Sequence, residues 1–206
     1  MSLERIIEQK AFIKCLYDTI ELYFLYGARS NKKTNNFHSF IKSQLENIFK
    51  SANGYKIELE YLIDYVDDTK KKCDIVVLKD NIPFIIFPVK IIMTNYKQNK
   101  NNYFEQLTGE LFLIKLKNPN VKLIPINIYF DKTPYLKKNS TIDKFEIVTF
   151  SDIKRTSVLK EEGLIFDEIS YIIKVVHSCN ISEKYTIPTI IGLDTNTPYK
   201  LFSGIV

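Results

Sequence analysis

Apolar residues recur at helical spacing in four parts of the chain. Side chains three or four positions apart share one face of a helix, so each stretch predicts an amphipathic helix. The predicted ranges are 3–26, 37–52, 103–117 and 161–177. Gly27, Asn53-Gly54 and Asn118-Pro119 follow the first three ranges and are typical stop signals.

Between these helices the pattern changes to alternation and to β-branched runs, which are typical of strands. Strands are predicted at 55–65, 73–78, 84–92, 121–130 and 145–150. The connection Lys79-Asp80-Asn81 joins the second and third of them into a β-hairpin. This order of elements predicts an α/β fold with a central mixed β-sheet flanked by helices.

Length and composition favour one domain. The chain has 206 residues, of which 45% are hydrophobic, enough for a sizeable core. We expect residues 1–206 to form a single domain with its core at about 37–130. The helix at 3–26 and the segment 145–206 are then additions to that core.

The sequence also predicts where the protein resides. No apolar stretch reaches the length of a membrane span, and the N-terminus lacks the pattern of a signal peptide. The cysteines Cys15, Cys73 and Cys179 lie far apart, which matches neither a disulfide framework nor a zinc site. We therefore expect reduced thiols in a cytoplasmic protein.

The net charge of +5 permits contact with a polyanion without requiring it. Lysine supplies nearly all of the positive charge, because the arginines are only Arg5, Arg29 and Arg155. Lysine and asparagine are both heavily used, as expected of an A/T-rich coding genome. Lysine clusters such as Lys137-Lys138 are therefore interpreted first as solvated surface.

Candidate chemistry is limited by what the chain lacks. It has no glycine-rich phosphate loop and only two histidines, so a histidine-based mechanism is not expected. His38 is predicted to be a helix-start or surface residue. An acid and a lysine remain at neighbouring strand ends, Asp74 on the first arm of the hairpin and Lys90 on the second. Pro88 shares a strand face with Lys90.

This hairpin resembles the core of the PD-(D/E)XK nuclease superfamily. In that superfamily an Asp on one strand is followed, across a turn, by acid-x-Lys on the next strand and then by a helix. Here the matching residues are Asp74, then Pro88-Val89-Lys90, then the helix 103–117, while Glu46 occupies the place of an additional acid. The resemblance implies a restriction-endonuclease-like core.

The resemblance also implies a function. It points to a Mg²⁺-dependent endonuclease, similar to type II restriction enzymes, that hydrolyses phosphodiester bonds of double-stranded DNA. Asp74 would bind the metal and Lys90 would stabilise charge at the phosphate. Cleavage of both strands favours a homodimer, because a two-fold protein matches a two-fold site.

One departure from the motif affects the metal site. Pro88 stands where the acid of acid-x-Lys is expected, so a second carboxylate must come from elsewhere. Glu105, at the beginning of the following helix, is the first candidate for this metal ligand, and Glu110 is the second. The alternative is that Glu105 is a solvated acid stabilised by the helix dipole.

The polar residues after Lys90 are candidates for DNA contacts, because amide side chains bind adenine edges or phosphate oxygens. The candidates are Asn95, Tyr96, Lys97, Gln98, Asn99, Lys100, Asn102 and Gln106. The alternative is that asparagine simply favours turns in this connection.

Three other functions stay open at the level of sequence. The first is a nuclease-fold protein that binds DNA without cutting it, with Pro88 marking a lost site. The second is a Holliday-junction or repair nuclease built from similar parts. The third is a non-enzymatic α/β interaction protein in which Lys90 extends from a sheet edge into solvent.

Overall fold

A computed structural model describes residues 3–27, 30–194 and 202 of the chain. The helices are α1 (Leu3–Tyr26), α2 (Lys32–Ile48), α3 (Tyr96–Lys117), α4 (Phe150–Ile153) and α5 (Arg155–Glu161). The strands are β1 (Tyr55–Asp64), β2 (Lys70–Lys79), β3 (Ile82–Phe87), β4 (Val89–Ile92), β5 (Lys122–Leu123), β6 (Ile126–Phe130), β7 (Lys132–Leu136), β8 (Ile142–Ile147), β9 (Ile169–Val176) and β10 (Thr189–Leu193). Within the described residues, none of the helices combines the length and apolar character needed to cross a membrane.

The first sheet has the strand order β1-β2-β3-β5. β1, β2 and β3 run antiparallel, and β5 pairs with β3 in parallel. The turn between β2 and β3 places Asp80 at φ 51° and Asn81 at φ 67°. Two positive φ angles in succession are typical of the two-residue turn that matches strand twist, so the predicted hairpin is confirmed.

The second sheet has the order β10-β9-β6-β4. β4, β6 and β9 are parallel, and β10 closes the edge antiparallel to β9. A separate hairpin pairs β7 with β8. The fold is therefore α/β with mixed sheets flanked by helices.

The two sheets join where prolines interrupt two neighbouring strands. Pro88 separates β3 from β4, and Pro125 lies in the gap between β5 and β6. Proline lacks a backbone N–H, so Pro88 and Pro125 cannot donate a hydrogen bond to a neighbouring strand at these two positions. The Ile126 N–H still donates to the Pro88 carbonyl at 2.8 Å. The strand β3–β4 thus stays hydrogen-bonded to the strand β5–β6 where both pass from the first sheet to the second.

Helices cover both faces of these sheets. α1 and α2 pack on one face, where Phe12 of α1 and Phe37 of α2 are fully buried with Ile75 of β2. α3 packs on the opposite face, where Leu111 is fully buried against Ile86 of β3. Each buried side chain of this size contributes about 1.5–3 kcal/mol relative to an exposed one.

Several sequence predictions need correction. The helix predicted over 161–177 is wrong, because its second half is β9. β9 lies between β6 and β10, and its run Ile-Ile-Lys-Val-Val is rich in the β-branched residues that suit a strand inside a sheet. The helix predicted at 103–117 begins at Tyr96 instead, and the helix predicted from residue 37 begins at Lys32.

Replacing Phe12 with alanine is expected to destabilise the protein. The Phe12 ring lies 4.9 Å from the Tyr171 ring of β9 and 6.2 Å from the Phe37 ring, centroid to centroid, and joins α1 to α2 and the sheet. Phe12→Ala should lower the free energy of unfolding by about 3–5 kcal/mol in urea denaturation. Leu25→Ala is the control on the same helix, because Leu25 is 72% exposed. An equal loss in both variants would contradict this packing.

Candidate metal centre

Asp74 lies where β2 and the β3–β4 strand separate. The ladder between β2 and β3 includes the pair Ile75 and Phe87, and beyond it comes Pro88. The half-buried Asp74 carboxylate accepts a hydrogen bond from the Val89 N–H at 2.8 Å. A side-chain oxygen therefore takes the place of the carbonyl that a continuous ladder would supply.

Glu60 of β1 stands opposite Asp74 in the same register. The pairs on either side are Leu59 with Ile75 and Tyr61 with Cys73. Glu60 has φ 53°, a left-handed conformation that is uncommon for a residue other than glycine. Such strain costs about 1–3 kcal/mol and is concentrated at functional sites. The Glu60 side chain is exposed, so the position opens to solvent.

His38 of α2 completes the group from the helix side. Its side chain is only 3% exposed, and neither ring nitrogen has a hydrogen-bond partner among the described residues. Nδ1 lies 3.7 Å from the Glu60 Oε1, beyond hydrogen-bonding distance. A buried imidazole without partners is costly, and a bound ligand is one way to satisfy it.

One potential ligand atom each from His38, Glu60 and Asp74 lies within 4.8 Å of the others. Burial raises the pKa of Asp74, and the Val89 N–H and the charges of His38 and Lys90 oppose that shift. Burial lowers the pKa of His38, against the charges of Asp74 and Glu60. A neutral imidazole beside two carboxylates is a donor set that suits a divalent cation.

His38, Glu60 and Asp74 together favour a different metal from the one predicted from the sequence. The sequence predicted Mg²⁺ from oxygen ligands alone, and Mg²⁺ is held by carboxylates and water. An imidazole nitrogen favours later first-row metals over Mg²⁺, while two carboxylates suit Mn²⁺. These three residues therefore fit Mn²⁺ better than Mg²⁺.

Lys90 follows Val89 in β4, and Val89 donates its N–H to the Asp74 carboxylate. Lys90 is half-buried, and its charge acts on Asp74 to lower the pKa of that carboxyl. The neighbouring residues Val89 and Ile91 face the core under α1 and α2, whereas Lys90 and Ile92 face α3. Of the four predicted catalytic residues, Asp74 and Lys90 are therefore linked through the Val89 hydrogen bond, although their side chains extend towards different faces of the sheet.

Glu105 and Glu46 lie apart from that place. Glu105 is exposed on α3 and is not part of the three-residue group. The Glu46 side chain is 54% exposed and lies 3.9 Å from the Lys42 Nζ on the same helix. Glu110 is nearer, because its charge raises the pKa of Asp74, but its carboxylate lies 3.3 Å from the Lys71 Nζ. None of Glu46, Glu105 and Glu110 belongs to the group of potential ligand atoms around Asp74.

The predicted DNA-contact residues lie on α3 and at its beginning rather than in a loop. The Asn95 Oδ1 accepts the Leu136 N–H at 2.9 Å, and the buried Tyr96 donates its hydroxyl to the Asp152 carbonyl at 2.8 Å. The Asn99 amide donates to the Asn95 carbonyl. These three side chains are engaged within the protein.

The other five candidates leave more surface available. Gln98, Asn102 and Gln106 are exposed. The Lys97 Nζ lies 3.9 Å from an Asp152 carboxylate oxygen, and Lys100 lines a cleft beside Lys90. Whether any of these five contacts DNA stays a prediction.

Sequence reasoning missed His38 and Glu60. One signal was present for His38, which precedes Ile41 by three positions and Leu45 by seven and therefore shares the buried face of α2. Glu60 gave no such signal, because its role depends on a register across β1 and β2 and on a local positive φ.

The chain matches no protein-family model, and no curated protein or solved structure matches it at a significant level.

Mn²⁺ is expected to stabilise the protein through this group. At a hundred times its Kd, an ion that binds only the folded state adds about 2.7 kcal/mol to the free energy of unfolding. Thermal denaturation should therefore show a higher Tm with Mn²⁺ for the wild-type chain and no shift for Asp74→Asn, which retains an acceptor for the Val89 N–H. Glu46→Gln, the matched amide control, should keep the shift. A Mn²⁺ shift that survives Asp74→Asn would place the ion elsewhere.

Proposed function

We propose that this protein is a metal-dependent DNA endonuclease of the PD-(D/E)XK type that hydrolyses double-stranded DNA. The observation that carries the proposal is the buried, unpartnered His38 beside Glu60 and Asp74, with Lys90 on the adjoining strand. This group combines potential metal ligands with a cation, the two elements that phosphodiester hydrolysis requires.

The acid that Pro88 cannot supply is assigned to Glu60. Glu60 lies opposite Asp74 in the hairpin register, and its carboxylate is exposed where a substrate can approach. Together with His38 these side chains would hold a divalent ion. Such an ion supplies positive charge at the phosphate and lowers the pKa of a bound water. In this proposal Glu60, rather than Glu105, supplies the carboxylate that the acid-x-Lys motif lacks at Pro88.

Lys90 has a different part in the proposal. Its ammonium, two residues beyond Pro88, would hold a non-bridging oxygen of the scissile phosphate and stabilise the charge that develops there. The strand break at Pro88 supports this, because it separates β2 from the strand that carries Lys90 and leaves the sheet open at that point. At this break the Asp74 carboxylate accepts a hydrogen bond from the Val89 N–H, which joins β2 to β4.

The surrounding fold supports the same proposal. The hairpin of β2 with β3 and β4 has α2 before it and α3 after it, as the resemblance implies. The next strand in the chain, β5 continued by β6, returns parallel to β3 and β4. The net charge of +5 is compatible with a polyanionic substrate. The homodimer stays a prediction from the symmetry of duplex DNA.

Cleavage of plasmid DNA tests the proposal. With Mn²⁺ or Mg²⁺ the wild-type protein should convert supercoiled DNA to nicked and linear forms, followed on agarose gels. Lys90→Met keeps the alkyl chain and removes the charge, so its cleavage rate should fall by about 10²–10³-fold. Asp74→Asn should show a loss at least as large.

Two controls separate this site from the one predicted by sequence. Glu105→Gln should cleave like the wild type, because Glu105 is exposed on α3 outside the group. Lys138→Met removes an equal charge from an exposed position away from the site. Intact DNA under all conditions, with salt-dependent binding retained, would replace the proposal with a DNA-binding protein that does not cut.

A further inference from the structure

A cleft on the α3 side of the second sheet contains three cationic side chains. Lys90 of β4, Lys100 of α3 and Arg155 at the beginning of α5 line it together, with Asp152 as its one acidic member. Lys90 and Lys100 are half-buried and Arg155 is exposed. The lining of the cleft therefore carries net positive charge.

A buried amide forms the inner wall of the cleft. Asn127 of β6 is 2% exposed, and its Nδ2 has no hydrogen-bond partner among the described residues. The parallel register pairs Asn127 with Lys90 on the neighbouring strand, so both side chains extend from the same face of the sheet. An amide donor that is buried without an acceptor is destabilising. A ligand atom in the cleft that accepts a hydrogen bond from the Asn127 amide would remove this destabilisation.

The acid in the cleft is already engaged. An Asp152 carboxylate oxygen accepts hydrogen bonds from the Thr149 N–H at 3.0 Å and from the Thr149 hydroxyl at 2.8 Å. The Lys97 Nζ lies 3.9 Å from its other oxygen. These partners compensate the negative charge of Asp152. Of the cleft cations, Arg155 donates to the Asn101 Oδ1 at 2.6 Å and lies over the Phe104 ring, so Lys90 and Lys100 are the main donors for an anion.

We propose that this cleft binds one phosphate group of a DNA strand, an inference that rests on the proposed nuclease function. Lysine, arginine and an amide NH₂ are all hydrogen-bond donors, and a phosphate offers only acceptors at neutral pH. Val89 donates its N–H to the Asp74 carboxylate and Lys90 is the next residue in the chain, so the cleft adjoins the strand that is bonded to the candidate metal group. The cleft positions the strand, and Lys90 links the two sites.

The Asn127 side-chain amide is the reporter for this binding. Its NH₂ resonances in ¹H–¹⁵N spectra should shift when a short DNA duplex is added in EDTA, where no cleavage occurs. Lys100→Ala should raise the Kd read from that shift at least about tenfold, because it removes a charged hydrogen-bond donor from the cleft. Lys138→Ala, the charge-matched control on an exposed position, should leave the Kd unchanged.

Separate titrations identify the source of the phosphate. Inorganic phosphate and a deoxymononucleotide, each added alone, should shift the Asn127 resonances far less than the duplex does. Saturation by either small molecule with no response to the duplex would overturn the assignment to a DNA strand. Resonances that respond to none of the three would overturn the cleft itself.

The two proposals fail in distinguishable ways. An Asn127 shift with the duplex, together with a Lys100→Ala effect, supports the cleft even if plasmid DNA stays intact with Mn²⁺. Cleavage that depends on Asp74 and Lys90 without any Asn127 shift overturns the cleft and leaves the nuclease proposal standing.

Discussion

The hydrogen bond from the Val89 N–H to the Asp74 carboxylate joins β2 to β4 where the ladder between β2 and β3 ends. Pro88 cannot donate, so the strand containing it loses its ladder just where the chain passes from the first sheet to the second. The Asp74 carboxylate replaces the missing partner, and the same carboxylate belongs to the candidate metal group. Continuity of the sheet and the candidate chemistry therefore depend on one side chain.

Residues on both faces of the sheet therefore lie near Asp74 or are bonded to it through Val89. His38 approaches Asp74 from the face covered by α1 and α2, whereas Lys90 extends towards α3 on the opposite face. A sheet without a break would keep the two faces apart, because its backbone lies between them. At the break, the Val89 N–H donates to the Asp74 carboxylate, while Lys90, the next residue in the chain, extends towards α3.

The sequence predicted what depends on local pattern. α1, β1 and the hairpin of β2 with β3 were found from periodicity and turn residues, because their apolar positions repeat with a clear period. β9 was mistaken for a helix, since a strand buried within a sheet is continuously apolar and shows no alternation. In the site, Asp74 and Lys90 were found from a short motif. His38 and Glu60 were missed because they meet Asp74 only through packing of α2 and a strained residue in β1.

The strand order has a consequence for how the protein folds. The metal group comes from α2, β1 and β2, all within residues 38–74, where the strands pair through short hairpin-like connections. The cleft needs residues 90–156 and parallel pairing of β4 with β6 across the length of α3. Pairing of β1 with β2 closes a short loop and forms quickly. Parallel pairing of β4 with β6 requires contacts between residues far apart in the sequence and forms more slowly. We therefore expect the part that contains His38, Glu60 and Asp74 to assemble first and the part that contains the cleft to be added to it.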